Sequence, residues 1–133
     1  MPRLILLASL SLFCCALFAG DELYVCEALS VLELGDDGAL AHSDFAKAIA
    51  MHQSEFAVDR KSGVVAGGPF ATVDAKDVQI LSSGTDQEAM KILWLAEAPY
   101  QHFKYLWVRS YAEGDKKPFL GVTGNVVVTG VCE

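Results

Sequence analysis

Glu55-Phe56-Ala57-Val58-Asp59-Arg60-Lys61-Ser62-Gly63-Val64-Val65-Ala66 is the stretch that decides the fold, because it is the clearest local structure in the chain. Apolar-biased runs at 55–58 and 64–66 flank a short polar loop. The carboxylate of Asp59 can accept hydrogen bonds from backbone amides ahead of it. Gly63 can take the left-handed conformation that closes such a loop into a returning strand. The stretch therefore predicts a β-hairpin.

Strand signals continue on both sides of this hairpin. The first strand is predicted over 24–34, an apolar-biased run that ends at the turn signal Gly35-Asp36-Asp37-Gly38. Gly67-Gly68-Pro69 stops the hairpin, and turn signals at 83–84, 98–99 and 113–115 divide the remainder of the chain. Four more strands are predicted, at 76–82, 88–97, 102–111 and 119–132.

One short helix is predicted between the first strand and the hairpin. Ser43 can cap it, and it would run from Asp44 to His52. Four residues fall at helical spacing and define its expected face: Phe45, Ala48, Ile49 and His52.

Alternation of apolar residues predicts a single core face for the strands. Cys26 is in phase with Ala28, Leu32 and Leu34 in the first strand. The residues predicted to point inward from later strands are Phe56, Val58, Val78, Ile80, Met90, Ile92, Trp94, Leu120, Val122, Val126, Val128 and Cys132. We therefore expect a mainly β fold, a small antiparallel sheet curled as a barrel or folded as a sandwich, with one short helix.

The N-terminal residues are typical of a signal peptide. Arg3 precedes an apolar stretch from Leu4 to Phe18, and the small residues Ala19 and Gly20 come before an acidic pair. We expect cleavage there, which divides the chain into a signal peptide, 1–20, and a single exported β-rich domain, 21–133. A membrane anchor is the alternative, although the apolar stretch is short for a bilayer span.

The cysteines agree with export. After cleavage only Cys26 and Cys132 remain, because Cys14 and Cys15 would leave with the signal peptide. An even pair in an oxidising compartment is most simply a disulfide. Its loop would run almost from end to end, for which the chain-entropy model gives about 4 to 5 kcal/mol. With both cysteines facing the core, the bond would tie the first strand to the last.

The charge balance excludes some partners. Without Arg3 the chain carries 9 Lys and Arg against 17 Asp and Glu, a formal charge of −8. Nucleic acid is not expected as a partner, since binding to phosphates requires a basic surface. Stable membrane insertion after cleavage is not expected either, and anionic lipid would repel the chain. Acidity favours solubility or attraction to a basic partner, and it is also common on small soluble proteins that have no such partner.

The hairpin and the termini carry a resemblance. Phe56-x-Val58-Asp59-Arg60-x-x-Gly63, together with Thr129-Gly130-x-Cys132 and an early Cys26, resembles small exported proteobacterial proteins that carry no established function. The resemblance covers the hairpin and the termini but not the middle of the chain. It implies a periplasmic or secreted location and no mechanism.

Catalytic and metal-binding motifs do not emerge from the sequence. The three histidines, His42, His52 and His102, follow no metal-ligand spacing. Asp36-Asp37-Gly38 lacks the alternating carboxylates of a calcium loop and is interpreted as an ordinary turn. No serine-nucleophile or phosphate-loop motif occurs. We therefore expect no cofactor, no metal and no catalytic residues.

Aromatic residues concentrate in the predicted strand 102–111. Phe103, Tyr105, Trp107 and Tyr111 lie on one face of that strand, with Tyr100 just before it. Aromatic residues in strands usually belong to the core, and we expect that here. If Leu106 and Val108 face the core instead, the four aromatic residues form a binding surface.

The sequence is compatible with two classes of function. The first is a non-enzymatic binding or accessory module of the cell envelope, which docks a partner protein or holds a small apolar ligand in a barrel. The second is an enzyme, such as a hydrolase, whose site residues are scattered in sequence. The missing motifs favour the first class. A purely structural envelope protein is a third possibility, which the sequence does not separate from the first class.

Overall fold

A computed structural model of the chain describes residues 22–72, 75–96 and 103–133. The predicted signal peptide, the predicted turn at 98–99, Tyr100 and His102 lie outside these residues. Nine strands and one helix occur in the described part. In chain order they are β1 (Leu23–Leu34), β2 (Leu40–Ala41), α1 (Asp44–His52), β3 (Glu55–Asp59), β4 (Val65–Ala66), β5 (Ala75–Ser83), β6 (Met90–Ala96), β7 (Phe103–Val108), β8 (Lys117–Thr123) and β9 (Val126–Cys132).

The strands form one antiparallel sheet in the order β4-β3-β1-β9-β8-β7-β6-β5, with β2 paired to β1. Strands β5 to β9 follow one another as a meander, and β1 joins the meander to the β3–β4 hairpin. The sheet curls into a half-barrel with the core on its concave side. The predicted fold class is therefore confirmed.

The β3–β4 hairpin forms as its sequence predicts. Asp59 Oδ1 accepts the backbone N–H groups of Lys61 at 2.8 Å and of Ser62 at 2.9 Å, and Gly63 has a φ of 71°. These backbone bonds, led by that from Ser62, hold the pKa of Asp59 below its usual range because they stabilise the carboxylate.

Helix α1 has the predicted bounds and the predicted cap. Ser43 Oγ accepts the N–H of Ala46 at 3.0 Å. The expected face is only partly right, because Ala46 and Ile49 are buried whereas Phe45 is 57 % exposed. The helix packs against β1, and a small side chain such as that of Ala46 permits close approach. Within the described part of the chain, no helix is long and apolar enough to cross a membrane.

A β-bulge in β1 overturns half of the predicted phase of that strand. Ala28 pairs with Gly130 and Ser30 pairs with Thr129, so Leu29 is the extra residue. Cys26 is buried before the bulge and Val31 is buried after it. Two residues predicted to point inward therefore lie on the other side of the sheet: Leu32, which is half-buried, and Leu34, which is exposed.

The predicted final strand at 119–132 is in fact two strands. Thr123 pairs with Val126 across the two-residue turn Gly124-Asn125, in which Gly124 has a φ of 57°. A Gly at the first position of such a turn is typical of type II′ hairpins. In β9, Val126, Val128 and Cys132 point inward as predicted.

The phase of β8 is the reverse of the prediction. Phe119 and Gly121 point inward, whereas Leu120 is 38 % exposed and Val122 is half-buried on the outer side. A Cβ atom on Gly121 would lie 2.1 Å from Phe70 Cζ. The core therefore requires glycine at this inward position, because the ring of Phe70 occupies the space of a side chain.

The loop of the β3–β4 hairpin lies against β5, the strand at the other end of the strand order. Arg60 donates from Nε to the Ser83 carbonyl at 2.9 Å and from Nη2 to the Gly84 carbonyl at 2.6 Å. Trp94 Nε1 donates to the Gly63 carbonyl at 2.7 Å. Side chains thus hold together the two ends of the strand order. Of the two inward predictions for β5, Val78 packs against the core, but Ile80 is 36 % exposed beside the register shift between Ile80 and Ser82.

Aromatic rings and aliphatic side chains fill the concave side. Phe70 packs against Phe56 with ring centroids 5.3 Å apart and lies 6.5 Å from the ring of Trp94. The largest side chains with almost no exposure are Trp94, Phe70, Met90, Ile92, Leu106, Val58, Val108, Val126, Val128, Cys26 and Cys132. The interior of the half-barrel is therefore a packed core.

The disulfide Cys26–Cys132 is present and joins β1 to β9 as predicted. The two residues are direct cross-strand partners with Cα atoms 3.9 Å apart. Val25 and Glu133, next to them, exchange both backbone hydrogen bonds. The cysteines therefore occupy a non-hydrogen-bonded pair, where opposing side chains approach most closely.

We expect the double substitution Cys26→Ser and Cys132→Ser to lower the free energy of unfolding by roughly 2 to 5 kcal/mol. The bond joins residues separated by 106 positions, so its loss frees a long loop in the unfolded chain. Guanidinium unfolding monitored by tryptophan fluorescence measures the change. Reduced wild-type protein is the control and should match the variant. An unchanged midpoint would contradict the prediction.

Candidate functional site

The orientation of β7 places its aromatic residues on the convex outer face of the half-barrel. Leu106 and Val108 are fully buried, while Phe103 is 48 % exposed and Tyr105 and Trp107 are half-buried. The expectation that these aromatic residues belong to the core is therefore wrong. The pairing of β7 with β6 gives the reason, since Leu106 and Val108 are opposite the inward residues of β6.

Tyr111 does not share the strand of the other three aromatic residues. Strand β7 ends at Val108, and the chain turns at 109–112, where the Ala112 N–H donates to the Arg109 carbonyl at 2.9 Å. Ser110 is buried in this turn and accepts the N–H of Met90. Tyr111 is 43 % exposed in the same turn. The alternation of side chains that predicted Tyr111 on the same face as Trp107 therefore stops at Val108, where the strand ends.

The aromatic residues of β7 belong to a wider apolar surface. Successive cross-strand pairs run from Leu93 to Tyr105, to Val122, to Val127 and to Leu32. Strands lie about 4.8 Å apart, so this row of five side chains extends roughly 19 Å across the sheet. The cross-strand pairs Leu95–Phe103 and Trp107–Leu120 lie in the neighbouring rows on either side of it. We call the surface the outer belt: Leu32, Leu93, Leu95, Phe103, Tyr105, Trp107, Leu120, Val122 and Val127.

Among the described residues, two cations lie at the β6–β7 end of the outer belt, and both have contacts within the chain. Lys91 is the cross-strand partner of Trp107, and its Nζ lies 3.5 Å from a Glu88 carboxylate oxygen. The guanidinium carbon of Arg109 lies 5.5 Å from the centroid of the Trp107 ring, within cation–π range.

Carboxylates lie beyond the opposite end of the outer belt, on the same face of the sheet. From β8 the outer face continues through Pro118 and Val131 to Glu27 and Glu55, which are direct cross-strand partners. Glu27 and Glu55 are both exposed, and neither forms a salt bridge among the described residues. They line a cleft of about 250 Å³ together with Val25, Cys26, Lys116, Val131 and Glu133.

Other polar residues have structural roles. His42 Nδ1 lies 3.1 Å from the Val31 carbonyl, and His52 is exposed at the end of α1. Asp37 accepts the N–H of Ala39, and Gly38 has a φ of 79° in this turn. Throughout the ranges 22–72, 75–96 and 103–133, no group of three or more His, Cys, Asp or Glu side chains has a metal-binding arrangement.

Sequence reasoning missed most of the outer belt. Leu93 and Leu95 lie between inward residues of β6, and the unbroken apolar run Ile92-Leu93-Trp94-Leu95 is a signal that both faces of this strand are apolar. The sequence pattern wrongly predicts core positions for Leu32, Leu120 and Val122, because the bulge in β1 and the reversed phase of β8 leave no such signal.

Comparison with known proteins finds no matching family, no matching curated protein and no matching solved structure.

A matched pair of substitutions in β7 tests its orientation. We expect Leu106→Ala to lower the free energy of unfolding by roughly 2 to 5 kcal/mol, because it empties a fully buried site. Tyr105→Ser should cost only about 1 kcal/mol, since it removes cross-strand contacts on the outer face. Chemical unfolding of both variants measures the difference. A larger loss for Tyr105→Ser would place the aromatic side chains in the core.

Proposed function

We propose that this protein is a non-enzymatic binding or accessory module of the cell envelope, which captures a partner protein on the outer belt. The observation that carries the proposal is the unbroken row Leu93, Tyr105, Val122, Val127 and Leu32 across five paired strands. Contiguous apolar surface of this kind on a folded domain is typical of interaction sites.

The residue types support docking of a protein. Tyr and Trp are enriched among the side chains that dominate binding energy at protein interfaces, and Tyr105 and Trp107 both belong to the outer belt. Each is held between two paired strands, so little side-chain and backbone freedom would be lost on binding.

The alternative of a small apolar ligand inside the barrel has less support. Phe70, Trp94 and Met90 fill the concave side and are almost completely buried. A ligand there would have to displace packed side chains, whereas the outer belt requires no rearrangement. An enzyme with scattered residues remains a second alternative, and a broad hydrolase screen addresses it.

Export is part of the proposal. The buried Cys26–Cys132 disulfide is stable in an oxidising compartment, which supports a periplasmic or secreted location. The N-terminal apolar stretch 4–18 supports the same location.

Binding is tested with two double variants, each of which truncates two large apolar side chains to alanine. Tyr105→Ala with Trp107→Ala should abolish capture of proteins from an envelope extract, because it truncates the two aromatic anchors. Phe45→Ala with Met51→Ala is the control, since these residues are 57 % and 74 % exposed on α1. Captured proteins are identified by mass spectrometry, and each is then titrated in purified form by calorimetry.

Thermal melts of both variants accompany the titrations. Equal loss of binding in both, with both folded, would contradict the role of the outer belt. Hydrolase activity that disappears on substitution of one Asp, Glu or His would contradict the non-enzymatic function.

Export predicts a mature protein that begins near Asp21. N-terminal sequencing of protein from the native envelope should show loss of residues 1–20. Its intact mass should be that of the remaining chain less the two hydrogens lost in forming one disulfide. Retention of Met1 would contradict the prediction.

A further inference from the structure

We infer that the partner captured on the outer belt is a basic protein, with an apolar recess flanked by Lys or Arg side chains that pair with Glu27 and Glu55. This inference rests on the proposed function and adds the chemistry of the partner. The charges around the outer belt and the shape of the surface both support it.

The carboxylate pair beyond one end of the outer belt is uncompensated. Glu27 and Glu55 are directly opposite each other on β1 and β3, and like charges in such a position repel. Neither has a cation as partner in the part of the chain that the structure describes. Among the described residues that line their cleft there is one lysine, Lys116, and its Nζ lies 3.7 Å from Glu133 Oε1. A cation from a partner would relieve this repulsion.

The opposite end of the outer belt differs, because its cations already have contacts within the chain. Lys91 is paired with Glu88, and Arg109 lies over Trp107. These cations are already stabilised within the chain, so they create no comparable demand for an acidic partner. Of the two ends, the carboxylate end is the one that a partner of opposite charge complements.

The charge of the whole chain favours the same partner. Its formal net charge is −7 at pH 7, and loss of the predicted signal peptide removes one further positive charge. Such a field accelerates encounter with a basic protein. The same field opposes a second copy of this chain. Two convex faces also meet over a narrow strip, whereas a recess in another protein can enclose the outer belt.

The probe is a short blocked peptide with leucine and valine in its centre and a lysine pair at one end. A second peptide carries glutamates in place of the lysines. Titration by fluorescence anisotropy at low and at high ionic strength should show that the wild-type protein prefers the lysine peptide. High salt should remove that preference, because it screens exposed charge pairs.

Charge variants locate the preference. Glu27→Gln with Glu55→Gln should bind the lysine peptide about tenfold more weakly, the effect of losing two exposed ion pairs. Asp36→Asn with Asp86→Asn removes the same charge from two distant turns and should change affinity less than about twofold. Tyr105→Ala with Trp107→Ala should weaken binding of both peptides.

The outcomes separate this inference from the proposed function. If the Tyr105 and Trp107 variant loses both peptides but the two charge variants behave alike, the outer belt binds and the basic partner is refuted. If the aromatic substitutions change nothing, the proposed function fails as well. Sedimentation of the protein alone is the last measurement. If the wild-type protein is a dimer and Tyr105→Ala with Trp107→Ala dissociates it, the outer belt binds a second copy of this chain and the basic partner is refuted.

Discussion

The pairing of β1 with β9, fixed by the Cys26–Cys132 disulfide, is the interaction on which the rest of the structure depends. Strand β1 contacts both the β3–β4 hairpin and the last strand of the meander, so it is the strand through which the two parts share one sheet. The bond lies within the core, where both cysteines are buried. Without it, the unfolded chain regains the freedom of a loop that spans nearly the whole domain.

Side-chain hydrogen bonds, rather than strand pairing, join the β3–β4 hairpin loop to β5 and β6 at the other end of the strand order. Arg60 reaches the carbonyl groups of Ser83 and Gly84, and Trp94 reaches that of Gly63. The approach is close, because a Cβ atom on Gly63 would lie 2.6 Å from a methyl carbon of Val78. The glycine that closes the hairpin loop is thus also the residue that lets the loop lie against β5. One position meets a conformational and a packing requirement.

The two faces of the sheet differ in what they contact. Phe70 enters the concave side above Gly121, and with the rings of Phe56 and Trp94 it fills the volume that a carrier protein would leave for a ligand. The convex side keeps an apolar row although no described element covers it. A packed interior beneath an apolar exterior supports the proposed docking of a protein, because the paired strands could present the outer belt without reorganising.

The sequence by itself determined the elements whose signals are local. The Asp59-to-Gly63 loop, the Ser43 cap with its helix, and the β-rich fold class all follow from neighbouring residues, and export chemistry predicted the cysteine pair. Tertiary structure alone decided which face of β7 and β8 is buried. An apolar strand residue can point either way, and the choice depends on long-range register: the Leu29 bulge, the Gly124-Asn125 turn and the ring of Phe70 against Gly121. For this reason three of the aromatic residues were recognised as a group from sequence, while their exposure and the leucine and valine residues around them were not.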